Sequence, residues 1–313
     1  MAQRANARVA YYNGEYMPEH EVRVPFRDRS FKYGDAVFDM TRTFNGKAFR
    51  LREHIERFYD SLRYVQIDPG LSPDEMIAVS EEVLARNLHL MNEGEDFWLG
   101  QRVTRGVDPV EGDPVEREGP TVIVECTPLP LRGRARLFRD GIDVVLPSIR
   151  RVPPDSLSPR AKTHNYLNVI MADMEARAHN PDAWAVLLDV NGNLAEGMGS
   201  NIFVVRHGEL YTPRERYVLA GISRRTAIEL ARELGIPVHQ TDIDPFDART
   251  ADEAFLTSTS LCICPVRSVN GAPIGDGKIP GPITRRLTEA YKELVKCDFV
   301  GQYLRQLKGA AAA

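Results

Sequence analysis

Lys162 is the only lysine between Lys47 and Lys278, in a chain that otherwise carries its positive charge there as arginine. Of the 40 basic residues, seven are lysine. Arginine cannot lose its proton in a protein and cannot form an imine, whereas lysine can do both. A lysine kept against that bias is a candidate for amine chemistry, and the plain alternative is an accident of an arginine-rich composition. Around it runs Arg160-Ala161-Lys162-Thr163-His164-Asn165-Tyr166, just ahead of a helix expected from about Tyr166 to Ala178. Tyr166 lies about one helical turn further on, where a phenol can hydrogen-bond an aromatic hydroxyl.

A second constellation is Leu194-Ala195-Glu196-Gly197-Met198-Gly199-Ser200, an acid leading a Gly/Ser-rich bend into the strand-like run Asn201-Ile202-Phe203. The glycines let the backbone approach a flat ligand closely. A carboxylate there can keep a pyridine nitrogen protonated, which makes the ring an electron sink. The bland reading is an exposed turn with a solvated glutamate. A third is Leu219-Ala220-Gly221-Ile222-Ser223, a glycine turn that opens a helix with Ser223 expected as its cap. Free amides and the helix dipole make such a start an anion site. Thr257-Ser258-Thr259-Ser260 ends another strand-like run and offers hydroxyls and amides to the same anion.

In this order and spacing the three resemble the class IV, or fold-type IV, pyridoxal-phosphate aminotransferases. The resemblance runs from Tyr12-Asn13-Gly14 to Gly281-Pro282-Ile283-Thr284, and its most specific piece is Leu188-Asp189-Val190-Asn191-Gly192 with Glu196-Gly197 and Asn201-Ile202-Phe203. It implies a two-domain fold with pyridoxal 5'-phosphate at the domain interface, and a homodimer. Lys162 would be the Schiff-base lysine and proton carrier, Glu196 the partner of the pyridine nitrogen, and Tyr166 a contact to the phenolic oxygen. Arg57, in Leu51-Arg52-Glu53-His54-Ile55-Glu56-Arg57, matches the phosphate arginine. Ile222 (through its backbone), Ser223 and Thr259 would complete the phosphate cup, with Ser260 in the turn facing the substrate carboxylate. The implied chemistry is ping-pong transamination between a small-molecule amino donor and a 2-oxo acid.

Substrate choice is less sharply marked. Phe38-Asp39-Met40-Thr41-Arg42 resembles the branched-chain pattern Phe-Glu-Gly-x-Arg but carries Met40 in place of glycine. The segment from Phe97 to Gly106 ends in Thr104-Arg105-Gly106, as in D-amino acid and (R)-amine enzymes. Arg42 or Arg102 could clamp a carboxylate in a bidentate pair, or either could serve a structural ion pair. Phe38, Phe97 and Trp98 give the expected pocket rim an apolar, aromatic character. The leading reading is transfer from a hydrophobic, branched-chain-like amino acid to 2-oxoglutarate or another 2-oxo acid. A D-amino acid or (R)-selective amine transaminase and an aminodeoxychorismate lyase stand as alternatives. Intact Lys162, Glu196 and Arg57 argue against a purely scaffolding protein.

The elements that must position these residues follow from local signals. At 313 residues the expectation is about two domains. Asn13-Gly14, Asn45-Gly46, Asn191-Gly192, His207-Gly208 and Asn270-Gly271 mark hairpins. Leu51, Ile55, Phe58, Leu62 and Val65 recur at helical spacing, and Ser72-Pro73-Asp74-Glu75 reads as a capping box opening a second helix. The fold class is α+β, with an N-terminal domain at 1–127, a Pro-rich linker at 128–137, a C-terminal cofactor domain at 138–308 and a tail at 309–313. A net charge of −4 with no basic block argues against nucleic acid or anionic membrane as partner. No apolar run approaches the roughly 20 residues that cross a bilayer. The start of the chain lacks a signal-peptide core, so a cytoplasmic protein is expected. The four cysteines form no CxxC pair and have no histidine cluster beside them, so reduced thiols and no metal site are expected.

Overall fold

Asn-Gly turns set the strand register. Asn13 and Gly14 sit at φ 51° and 103°, in the left-handed region, and bring Tyr12 of β1 (Val9–Tyr12) opposite Glu15 of β2 (Glu15–Pro18). Such a turn matches the twist of the strands it joins. In the computed structural model, residues 6–111 and 119–308 are described, and the tail expected at 309–313 lies outside them. The chain divides into unit 1, made of Met1–Leu129 and Ala161–Asn165, and unit 2, made of Pro130–Arg160 and Tyr166–Ala313.

Unit 1 continues with α1 (Arg29–Tyr33), β3 (Ala36–Phe44), β4 (Lys47–Ala48), α2 (Leu51–Val65), α3 (Pro73–Asn87), β5 (Phe97–Thr104) and β6 (Thr121–Pro128). Its six strands form an antiparallel sheet in the order β2-β1-β6-β5-β3-β4. Leu51, Ile55, Phe58 and Leu62 of α2 and Met76, Val83 and Leu84 of α3 pack on one face of the sheet, against Val37, Leu99, Val103 and Val124. The capping box at Ser72 and Glu75 is present. The opposite face, with Phe38, Met40, Trp98, Arg102 and Glu125, is only half-buried.

Unit 2 opens with a correction. The Pro-rich stretch expected as a linker becomes α4 (Leu131–Asp140) directly after Pro130. Leu131, Ala135 and Phe138 recur at helical spacing and are buried, and Phe138 stacks on Tyr303 with ring centroids 4.4 Å apart. There follow β7 (Ile142–Val145), α5 (Leu167–His179), β8 (Trp184–Leu188), β9 (Leu194–Gly197), β10 (Ser200–Arg206), β11 (Glu209–Thr212), α6 (Ile222–Glu233), β12 (Val238–Gln240), α7 (Pro245–Arg249), β13 (Glu253–Ser258), β14 (Cys262–Val269), β15 (Ala272–Pro273), α8 (Pro282–Val295) and α9 (Phe299–Lys308). The strand path runs β12-β11-β10-β13-β14-β7-β8-β9, and β9 pairs again with β10, closing a ring. Hairpin signals announce only antiparallel neighbours. β7 nevertheless pairs in parallel with both β14 and β8, and β11 with β12, so this sheet is mixed. Parallel pairs need long crossovers, which leave no short-range mark.

Ala161–Asn165 lies between two stretches of unit 2, yet pairs with β3 of unit 1. Thr163 bridges Val37, the Phe38 amide donates to the Lys162 carbonyl at 3.0 Å, and the His164 amide donates to the Ala36 carbonyl at 2.9 Å. The boundaries expected from the sequence put Lys162 with the C-terminal part.

Phe58 is fully buried between α2 and the sheet. Phe58→Ala is expected to lower the unfolding free energy by about 3–5 kcal/mol, read from denaturant midpoints at unchanged slope.

Candidate active site

Lys162 reaches its place through its backbone. Its amide donates to Ser61 Oγ at 3.0 Å, and Ser61 Oγ in turn donates to the Arg57 carbonyl at 3.0 Å. The pairing with Phe38 and this tie to α2 fix the side chain, which is buried with Nζ 4.5 Å from the centroid of the Phe38 ring. His164, on the same side of the short strand, meets that ring edge-on at 5.3 Å.

Behind Phe38, on the other face of β3, Asp39 is completely buried. Arg57 grips it as a fork, Nε to Oδ2 at 2.9 Å and Nη2 to Oδ1 at 2.7 Å, while His54 Nδ1 lies 2.7 Å from Oδ1. Burial works to raise the Asp39 carboxyl, but the charges and hydrogen bonds of Arg57 and His54 outweigh it and hold the group well below the usual carboxylate range. Burial, assisted by the charges of Arg57 and Lys162, holds His54 below the usual imidazole range against the pull of Asp39. Arg57 is thus aimed by Asp39, with two of its donors committed there.

The half-buried face of the sheet carries the substrate candidates, and it separates them. Phe38 lies there, opposite Arg102, and the Arg102 guanidinium stands 5.4 Å from the Phe38 ring. Arg102 gives Nε and Nη2 to a single oxygen of Glu125, at 2.9 and 2.8 Å. Phe97 does not join them. It is 2% exposed and belongs to the core on the helix side, because successive strand residues point to opposite faces and Trp98 takes the other one. Arg42 is also withdrawn, at 2% exposure. Its Nε donates to the Thr43 carbonyl, its guanidinium lies 4.1 Å from the Phe44 ring, and Nη2 stands 3.8 Å from Asp96. Of the two roles open to Arg42, the structure supports the internal ion pair. The Thr104-Arg105-Gly106 segment is likewise structural. Thr104 donates to Asp28 at 2.8 Å, Arg105 grips Asp35 and caps the Val65 and Gln66 carbonyls, and a Cβ on Gly106 would strike the Gly119 carbonyl.

Unit 2 holds the other candidates. Glu196 is 6% exposed in β9, where Oε1 accepts from Arg151 Nε at 3.0 Å and Oε2 accepts from the Leu219 amide at 2.9 Å. Asn201, its cross-strand neighbour, donates to the Leu219 carbonyl at 3.0 Å. The turn then passes Gly221, whose missing side chain leaves room for Asn201; a Cβ there would lie 2.1 Å from Asn201 Oδ1. Gly221, not Ser223, is the N-cap of α6, and no side chain caps it. Ser223 stands inside the first turn and donates its hydroxyl to the Ser258 carbonyl at 3.0 Å, which joins Ile222 and Ser223 to the turn containing Thr259 and Ser260. Ser260 Oγ accepts from Arg134, and its carbonyl accepts from Tyr303 at 2.8 Å. Tyr166 is the N-cap residue of α5, half-buried against Val169, Ala172 and Ala185.

A family model described as amino-transferase class IV matches residues 36–269. The chain belongs to the class IV aminotransferases. It is 38% identical over 285 residues to a Methanocaldococcus jannaschii protein named, provisionally, as a branched-chain-amino-acid aminotransferase, covering 91% of this chain and 95% of that one. It is 32% identical over 291 residues to the branched-chain-amino-acid aminotransferase of Escherichia coli K12, covering 91% and 92%. Among solved structures, the Escherichia coli branched-chain enzyme superposes with a TM-score of 0.83 at 31% identity over 93% of this chain and 95% of that one. The T.th. branched-chain enzyme complexed with N-(5'-phosphopyridoxyl)-L-glutamate superposes at 0.82 and 29% identity, again over 93% and 95%. The protein is therefore an aminotransferase of the two-domain α+β fold-type IV class and uses pyridoxal 5'-phosphate.

The residues present fit that cofactor. A class IV aminotransferase needs a buried amine, an acid and an anion site, and this chain has Lys162 beside an aromatic ring, Glu196 pinned at both oxygens, and an α6 start without a side-chain cap. The sequence reading missed Asp39 as the holder of Arg57, and Arg151, Glu125 and Ser61. Asp39 lies within Phe38-Asp39-Met40-Thr41-Arg42, in an aromatic-flanked strand where a charge calls for a partner. The other three carry no local mark.

Burial, with the charge of Arg102 adding to it, pushes the His164 imidazole down to about 4. Below about pH 6.5 the unfolded chain takes up a proton that the folded chain refuses until about pH 4. Stability contributed by neutral His164 is thus full above that window and is lost as pH falls through it. His164→Phe, which keeps a ring against Phe38, is expected to spare about 2–3 kcal/mol of the acid destabilisation seen between pH 7 and pH 4, measured by urea unfolding at each pH.

Proposed function

We propose that this chain moves the amino group of a hydrophobic, branched-chain amino acid to 2-oxoglutarate or another 2-oxo acid, with Lys162 as the catalytic amine. The observation that carries the reading is the buried Lys162 amine over Phe38, on a sheet face shared with Met40 and Trp98. Apolar side chains beside the amine suit an aliphatic donor, in keeping with the names of the related enzymes. When bound, pyridoxal phosphate supplies a conjugated electron sink for the donor's α-carbon.

Each residue then has a task. Lys162 holds the cofactor and carries the proton at the donor α-carbon. Glu196, oriented by Arg151 and the Leu219 amide, holds the proton of the ring nitrogen. Tyr166 takes the phenolic oxygen. Arg57, the Ile222 amide, Ser223 and Thr259 take the phosphate, the α6 dipole adding to the pull. Ser260 presents its turn to the substrate carboxylate, and Arg102, already poised by Glu125, offers a guanidinium at the rim beside Phe38. The D-amino acid and (R)-amine alternative loses its sequence support, since Thr104-Arg105-Gly106 is spent on the fold.

The same reading makes the protein a cytoplasmic homodimer. Leu167, Ile170, Met171 and Met174 line one face of α5 at helical spacing and are 69%, 41%, 45% and 60% exposed. Such a stripe is what a second copy would cover. Among the described residues no helix is long and apolar enough to cross a membrane, and none of the four cysteines is in a disulfide.

Borohydride reduction of the cofactor-loaded enzyme followed by peptide mapping is expected to label Lys162, and Lys162→Ala to lose both the label and turnover of L-leucine with 2-oxoglutarate. A label on another lysine, or bleaching of the cofactor band by D-alanine or (R)-1-phenylethylamine but not L-leucine, would overturn the assignment. Met174→Asp is expected to shift the sedimenting species from dimer toward monomer. An unchanged sedimentation coefficient would remove α5 from the interface.

A further inference from the structure

Two residues on the open face of unit 1 have sizes that are traded against each other. Met40 of β3 and Gly100 of β5 stand directly opposite in the antiparallel ladder, one step along from the Phe38–Arg102 pair. A Cβ built on Gly100 would come within 2.7 Å of Met40 Sδ and 3.1 Å of Glu125 Cγ and Oε1. Gly100 is not among the residues at positive φ, so backbone freedom does not explain a glycine there. Space does. The thioether lies across β5 where another residue would put its own side chain, and Glu125 closes the opposite side.

The position of Met40 is fixed as well as its seat. Its amide donates to Asp39 Oδ1 at 2.7 Å, which ties it to the Arg57–Asp39–His54 cluster. It lies two residues from Phe38, about 7 Å along the strand, and the Phe38 ring stands 4.5 Å from the Lys162 amine. A donor held at Lys162 with its side chain running along β3 therefore meets the thioether at its tip.

We infer that Met40, seated over Gly100, sets the length of donor side chain that this enzyme accepts. The inference rests on the assignment of Lys162 made above. Methionine is unbranched and conforms to irregular neighbours, so it closes around the forked end of a branched donor. A longer straight chain must displace it, and the way down is blocked by the strand on which it already rests.

The test is the ratio of kcat/KM for L-2-aminooctanoate to that for L-leucine in the pyridoxal-phosphate-loaded enzyme. The dissociation constants of octanoate and 4-methylpentanoate, which lack the amine and only bind, supply a second readout. Met40→Ala is expected to raise the ratio by about tenfold or more, the scale of one or two methylenes in an apolar pocket, and to tighten octanoate in parallel. Gly100→Ala, which forces the thioether upward, is expected to lower the ratio. The double variant Met40→Ala/Gly100→Ala is expected to keep the raised ratio of Met40→Ala, because the added methyl no longer meets a thioether. If Met40→Ala does not fold, Gly100→Ala tests the inference in the opposite direction. With borohydride label on Lys162, an unchanged ratio in Met40→Ala, or single effects that simply multiply in the double variant, overturns the role of Met40 alone. A wild-type label elsewhere brings down the Lys162 assignment instead.

Discussion

A few hydrogen bonds between Ala161–Asn165 and the start of β3 place the Lys162 amine. The Phe38 amide meets the Lys162 carbonyl, the His164 amide meets the Ala36 carbonyl, and the Lys162 amide meets Ser61 on α2. Each is worth only about 1 kcal/mol net, but together they leave the segment one register. With the register set, Lys162 and His164 fall on one side of the strand and Thr163 on the other, and both meet the Phe38 ring. Lysine carries more rotamer entropy than most residues. Anchoring its backbone and setting its amine over an aromatic ring reduces the freedom left to the side chain.

Charge does the same work one layer down. Asp39 is a fully buried carboxylate, which would be costly alone, and it is retained because Arg57 and His54 both serve it. Removing Arg57 would leave an uncompensated charge in the interior, and removing His54 would cost that carboxylate a hydrogen-bond partner, so the three behave as a unit. Asp39 also accepts the Met40 amide, so the cluster that aims Arg57 fixes the β3 backbone beneath Phe38 and Met40 as well. A similar device holds the strand ends, where Asp28 accepts from Thr104 of β5, Thr121 of β6 and the Ser30 amide of α1.

In unit 2 a single turn links Glu196 to the N-terminal end of α6. Leu219 donates its amide to Glu196 and accepts from Asn201 through its carbonyl, and two residues later Gly221 opens α6. Ser223 then ties that helix start to the Ser258–Ser260 turn. Glu196, the uncapped amides of α6 and the hydroxyl turn are therefore spaced by short covalent and hydrogen-bonded links.

Local signals in the chain were enough for the hairpins, the buried stripes of α2 and α3 and the capping box, and they singled out Lys162 and Glu196 as candidates. These depend on turn dihedrals, helical or strand periodicity and residue chemistry, all of which act within a few residues. Contacts between distant residues decided the rest. Lys162 and Ser61 lie 101 residues apart in the chain, and Arg102 and Glu125 lie 23 apart on neighbouring strands. Which of Phe97 and Trp98 faces the core, which of Arg42 and Arg102 is withdrawn, and why Gly100 is a glycine all follow from strand register and facing side chains. A composition rich in proline hid α4, because the buried stripe of Leu131, Ala135 and Phe138 outweighs the breaker signal only once Tyr303 is there to pack on. Residue types determined the chemistry on their own; its placement needed the tertiary structure, because burial and pairing are properties of neighbours that the chain brings together only by folding.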